Sequence, residues 1–149
     1  MSKARIAALG LGACVTLVAG FEGLRTAAYK DPVGIPTICY GSTAGVKLGQ
    51  TASRAQCEAM LGVEVLHAHD GMIACVKVPL SPNERSAYTS FTYNVGAAAF
   101  CKSTLVRKLN AGDRRGACAE LSRWDKAKGF RLPGLVRRRA AERALCERQ

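Results

Sequence analysis

At 149 residues the chain has room for one domain with a sizeable core, but not for two ordinary ones. Hydrophobic residues make up 48% of it and no low-complexity tract occurs, which excludes a disordered chain. Twenty-two basic residues against eleven acidic give +11, a balance that favours an anionic partner such as nucleic acid, a membrane surface or a polyanionic wall polymer. No zinc-finger spacing, RNP-type string or Walker loop accompanies the charge, so no nucleic acid partner is expected.

Lys3 and Arg5 precede a charge-free run from Ile6 to Phe21, shorter than the roughly 20 residues that span a bilayer core. Ala7, Ala8, Gly10, Gly12, Ala13, Ala19 and Gly20 keep that run only weakly apolar. Basic residues before an apolar stretch fit a cleavable signal peptide, with Val18-Ala19-Gly20 as its small-residue site. Cleavage there would leave Glu22 beside a free end, without the rigid support a reacting carboxyl needs, so the segment is expected to be retained. As an ordinary first helix it would bury the face marked by Ile6, Leu9, Ala13, Leu17 and Phe21.

Asp31-Pro32-Val33-Gly34-Ile35-Pro36 is turn chemistry, followed by a β-rich run, Thr37-Ile38-Cys39-Tyr40. Gly41 to Gly49 reads as a loop with a second short strand. Thr51 or Ser53 caps a helix that runs towards Cys75 and joins two lobes, until Pro79 and Pro82 interrupt it. Ser81 caps the next helix, from Pro82 to about Val95, and Gly96 ends it. Helices over Lys102–Asn110, Arg114–Trp124 and Leu135–Arg148 complete an α+β, mostly helical chain: a small N-terminal lobe with a β-hairpin sheet, and a larger helical lobe.

Glu22 can end a helix while Asp31 and Thr37 sit on the hairpin that follows, which gathers two carboxyls and a hydroxyl around one cleft. Glycoside hydrolysis needs such a set: a protonated carboxyl for the leaving oxygen and an ionised one for the water or the developing cation. Partial burial beside Phe21 is expected to keep Glu22 protonated, and turn amides to keep Asp31 ionised.

The string Glu22-Gly23, Asp31, Thr37 and Tyr40-Gly41 resembles the phage-type lysozymes, endolysins that cleave bacterial peptidoglycan. Phe91-Thr92-Tyr93-Asn94-Val95-Gly96, Ser103-Thr104-Leu105, Lys108 to Asp113, Trp124 and Leu132 to Arg143 are similar to that family's second half, in the expected order. The resemblance implies a lysozyme-like two-lobed fold and a cofactor-free, metal-free, inverting muramidase acting on the β-1,4 bond between N-acetylmuramic acid and N-acetylglucosamine, for host lysis. It implies Glu22 as proton donor, Asp31 as second carboxylate and Thr37 as the hydroxyl that places the water. Tyr29, Tyr40 and Gly41 would border the cleft, with Tyr93 and Asn94 facing them. A non-catalytic peptidoglycan-binding protein and a lytic transglycosylase are the alternatives.

The resemblance also implies a signal-anchor-release segment at residues 1–21, ahead of a catalytic domain at 22–149. Such a segment associates transiently with the inner membrane through residues 4–21 and then slips out, because it is weakly hydrophobic, to become the helix that carries Glu22. The expected location is the host periplasm, with the protein first tethered by this uncleaved anchor and acting as a monomer. The anchored form should be inactive.

Seven cysteines without a CxxC pair suit disulfides in an oxidising compartment better than a metal. Six of them allow fifteen pairings. The working assignment joins Cys118 to Cys146 across the C-terminal helices and Cys39 to Cys57 between hairpin and next helix, leaving Cys75 with Cys101. Cys14 is odd, a candidate regulatory thiol able to exchange with a disulfide at Cys39. His67 and His69 face different directions on their helix and receive no role. Trp124 is expected in the core. Arg137, Arg138, Arg139 and Arg143 form either a headgroup- or wall-binding patch or a solvated face offset by Glu142 and Glu147.

Overall fold

The computed structural model describes residues 2–148; Met1 and Gln149, the outer ends of the two expected segments, lie outside the described residues. The N-terminal run folds as two helices, α1 (Ser2–Ala8) and α2 (Gly12–Glu22), bent by 117° at the break between them. The expected single helix is corrected here, and its buried face with it. Leu11, Cys14 and Val18 are fully buried, whereas Ala13 and Phe21 are exposed. Gly10 makes the bend by adopting φ +67°, a region open to glycine at little cost. The carbonyls freed at the break find donors further along the chain: Arg85 Nη1 donates to the Leu9 oxygen at 3.0 Å and Ser86 Oγ to the Gly10 oxygen at 2.9 Å.

β1 (Arg25–Lys30) and β2 (Pro36–Cys39) pair antiparallel, with Arg25 opposite Cys39 and Tyr29 opposite Thr37. The second strand expected between Gly41 and Gly49 is replaced by a loop, tied by isolated bridges between Ala27 and Thr51 and between Ile38 and Ser42. α3 (Arg54–Ile73) follows, started by a reciprocal cap between Ser53 and Gln56. It joins the lobes through their cores. Cys57, Leu61, Val65 and Leu66 pack with Leu11, Cys14, Val18 and Ile38 in the small lobe. Met72, near its other end, belongs to the large-lobe core with Tyr88, Phe91, Phe100 and Leu105.

α4 (Pro82–Val95) is capped by Ser81 and Glu84 and ended by Gly96 at φ +91°. The helix expected over Lys102–Asn110 starts two residues later as α6 (Thr104–Asn110), because Ser103 caps it, and a further short helix, α5 (Ala97–Cys101), precedes it. The helix expected to reach Trp124 stops at Glu120 as α7 (Arg114–Glu120) and continues as a 3-10 turn over Leu121–Arg123. A short hairpin, β3 (Lys126–Ala127) with β4 (Phe130–Arg131), then leads into α8 (Pro133–Cys146). Trp124 packs on the large core, edge-on to Phe91 at 5.2 Å between ring centres.

The three disulfides follow the working assignment: Cys39–Cys57, Cys75–Cys101 and Cys118–Cys146, with Cys14 free and buried. Each closes a loop of 18 to 28 residues, worth about 3 kcal/mol in chain entropy.

Candidate active site

Glu22 is the last residue of α2, and Gly23 ends the helix with φ +74°. The hairpin leaves at once and returns. Because Arg25 pairs with Cys39, the chain after β2 comes back beside the start of β1 and sets Gly41 against the Glu22 carboxyl. A Cβ at position 41 would stand 2.9 Å from Glu22 Oε2, and Gly41 adopts φ +87°. Conformation favours glycine there, and a side chain at this position would also push the end of the Glu22 side chain aside.

The other carboxyl oxygen, Oε1, accepts a hydrogen bond from Arg138 Nη1 at 2.9 Å. Glu22 keeps a quarter of its side-chain surface exposed, while Arg138 keeps 5%. One side of the carboxyl is thus held by a buried guanidinium and another by glycine backbone, and the remainder is open to solvent. The same guanidinium lies 5.7 Å from the centre of the Phe21 ring.

At the far end of the hairpin, Asp31 Oδ1 accepts from the Val33 amide at 3.0 Å and the Ile35 amide at 2.8 Å. The Asp31 backbone closes the same turn, its amide to the Ile35 oxygen and its carbonyl to the Gly34 amide. Thr37, opposite Tyr29 and nearly buried, donates its hydroxyl to the Ile35 oxygen at 2.9 Å. With that proton committed, the Thr37 oxygen is left as an acceptor.

The other expected residues divide. Tyr29 is half-buried, its ring under the Arg25 guanidinium at 4.2 Å. Tyr40 is buried, and its carbonyl lies 3.2 Å from the Tyr93 hydroxyl, which also reaches Glu64 Oε2 at 2.8 Å. Burial first, then the Glu64 carboxylate, pushes the Tyr93 phenol above its ordinary value, so it remains a donor. Helix α4 of the large lobe is thereby latched to the small lobe. Asn94 is exposed, with its Oδ1 accepting from Arg139 Nη2 at 3.0 Å.

The reading of the Arg137–Arg139 run as a surface patch is overturned for its two inner members. Arg138 and Arg139 are 4% and 1% exposed, and Glu142, expected at the surface, is fully buried with them. Arg139 Nη2 stands 2.6 Å from Glu142 Oε1, and Arg138 Nε 3.7 Å from the same atom. Arg137 stays exposed, while Arg143 bonds to Ser122 and Glu147. A lone carboxylate facing two arginines at helical spacings of three and four was the signal in the sequence for an internal ion cluster. Arg138 is the site residue that sequence reasoning missed.

The family model described as phage lysozyme matches residues 19–142, from the last turn of α2 to Glu142. The chain is 41% identical over 128 residues to a SAR-endolysin of Enterobacteria phage PA-2, covering 85% of this chain and 78% of that one. It is 42% identical over 137 residues to an endolysin of Acyrthosiphon pisum secondary endosymbiont phage 1, covering 89% and 94% respectively. Among solved structures, the muramidase domain of SpmX from Asticaccaulis excentricus superposes with a TM-score of 0.86 at 32% identity, over 93% of this chain and 97% of that one. Sequence and fold therefore agree: the chain belongs to the phage lysozyme family and is a muramidase endolysin, a peptidoglycan-cleaving glycosidase.

Proposed function

We propose that Glu22 is the proton donor of this muramidase, Asp31 the ionised carboxylate that takes a proton from the attacking water, and Thr37 the acceptor that orients it. The observation that carries this reading is the Glu22 carboxyl, fixed by Arg138 and Gly41 yet open on its remaining side. In a single displacement, water attacks the anomeric carbon of N-acetylmuramic acid as the bond to the N-acetylglucosamine oxygen breaks. Glu22 gives its proton to that oxygen, and Asp31 receives one from the water. Tyr29 and Asn94 contact the glycan, and Tyr40 and Tyr93 shape the cleft from behind.

The N-terminal segment is a signal-anchor-release element at residues 1–21, associating with the inner membrane through residues 4–21 before the monomer acts in the host periplasm. Two relatives at about 40% identity are named SAR-endolysins, which supports this. No single described helix is long and apolar enough to cross a membrane; the bent pair Ser2–Ala8 and Gly12–Glu22 meets the length and composition of a span only when taken together. Cys14 is fully buried in one core cluster with Cys39 and Cys57, and burial pushes its thiol up to about 12. Exchange at Cys14 therefore belongs to forms in which α2 is undocked.

The test is clearing of outer-membrane-permeabilised Gram-negative cells by the oxidised protein beside Glu22→Gln, with circular dichroism confirming both folds. Clearing by the parent alone is the expected result, and equal clearing by the variant places the acid elsewhere. Released sugars with reducing ends, and no anhydro sugars, separate hydrolysis from transglycosylation.

A further inference from the structure

Glu142 is a fully buried carboxyl that the reaction above does not use. Burying a charge among apolar side chains is costly, and a well-packed apolar residue would fill the same space at no such cost. Its surroundings indicate what the charge serves. One guanidinium, Arg138, spans two carboxyls: Nη1 donates to Glu22 Oε1 at 2.9 Å, while Nε faces Glu142 Oε1 at 3.7 Å. A second, Arg139, closes on Glu142 at 2.6 Å and donates to Asn94. Among the described residues Arg138 Nε and both Glu142 oxygens have no hydrogen-bond partner, so the coupling between them is chiefly charge on charge.

We propose that Glu142 is a positioning residue for catalysis: from behind, it offsets the charge of Arg138, so that the guanidinium fixes the Glu22 carboxyl without stripping its proton. The inference rests on Glu22 being the proton donor. An isolated arginine against a general acid favours its ionised, useless form; an arginine shared with a second carboxylate supplies geometry with less field.

The groups facing this cluster are few. α8 supplies Arg138 and Arg139, and α2 supplies Glu22 and the Cys14 thiol, which senses both Glu142 and Arg138. α4 supplies Tyr93, beside Arg138 and Glu22, and its partner Glu64 lies on α3. Burial, resisted by Arg139 and then Arg138, pushes Glu142 up to about 7. Its negative charge therefore grows in as protons become scarce, where a general acid most needs its proton retained.

The test compares pH profiles of wall clearing for the parent, Glu142→Gln and Glu142→Asp, and follows the Glu142 carboxyl by carbon-13 NMR in the parent and in Glu22→Gln. Glu142→Gln should move the alkaline limb about one pH unit towards acid, the size expected for a full charge lost at the far end of one guanidinium at an effective dielectric of about 20. Glu142→Asp should restore the limb. Because coupling is reciprocal, Glu22→Gln should lower the Glu142 titration midpoint by a similar amount. Uniform loss of activity with an unmoved limb overturns the proposal. So does an unchanged Glu142 midpoint, a measurement that stands even if Glu142→Gln fails to fold. A folded Glu22→Gln that still clears cells sinks the proton-donor reading beneath it, whereas an inactive one with an unshifted Glu142 sinks the positioning role alone.

Discussion

Replacing Gly10 by alanine tests whether the N-terminal bend is built for docking. Gly10 sits at φ +67°, and a Cβ there would lie 2.9 Å from Pro82 Cβ and 3.6 Å from both Pro82 Cα and Cγ. The left-handed conformation costs a non-glycine residue about 1–2 kcal/mol. The proline ring, at the start of α4, cannot rotate away, so the hinge backbone must move. That movement strains the bonds from Arg85 and Ser86 to the hinge carbonyls, each worth about 1 kcal/mol. The docked form should lose about 3 kcal/mol. If the proposed tethered form straightens α1 and α2 into one helix, that helix would meanwhile gain about 1 kcal/mol from alanine. The balance moves by about 4 kcal/mol, or about three orders of magnitude. In thermal unfolding of the oxidised protein the expected drop is about 6–12 °C, and cell fractionation should find more of the variant in the inner membrane. An unchanged Tm would refute the reasoning, since it would mean that the bend bears no strain in a side chain's presence.

Gly41→Ala places a methyl against Glu22 Oε2 and, with Glu22 as the proposed proton donor, should cost about 100-fold in clearing rate, the scale of an ångström-sized displacement of a reacting group, in a protein that circular dichroism shows folded; full activity would deny Gly41 any part in placing Glu22. Native protein should leave Cys14 unmodified by iodoacetamide, because the thiol is buried and pushed up to about 12, and should react with one equivalent when unfolded in guanidinium with disulfides intact. Rapid native labelling would contradict the docked position of α2. The folded value of Glu142, about 7, lies above the ordinary carboxyl value of 4.5, so its contribution to stability is fully present below about 4.5 and is lost as pH rises to about 7. Unfolding midpoints in urea should show that decline in the parent and a flatter profile in Glu142→Gln; matching slopes would remove Glu142 as its source.

Elements with strong punctuation were legible in the sequence. Ser53, Ser81 and Gly96 fixed α3 and α4 to within a residue or two, because caps and positive-φ ends are local chemistry. Asp31 was expected among turn amides for the same reason. The bend at Gly10 was hidden, since glycine in a weakly apolar run signals low hydrophobicity as readily as a hinge, and the docking surface that decides lies at Pro82 and Ser86. The β3–β4 hairpin is two residues per strand, too short for any alternation to show. Three consecutive arginines were read as one face because composition dominates a charge run, although α8 turns about 100° per residue and sends Arg138 and Arg139 inward while Arg137 stays outside.

The bond between Arg138 and Glu22 spans 116 residues, and the hinge contacts from Arg85 and Ser86 span 76. Translation delivers the helix of Glu22, the proposed proton donor, first and its holders later, with Arg138 among the last turns of chain. A partly made polypeptide therefore carries Glu22 but lacks the arginine that holds its carboxyl. Only when the C-terminal helix has arrived and packed does the site come into register, so the order of synthesis itself delays wall cutting until the molecule is whole.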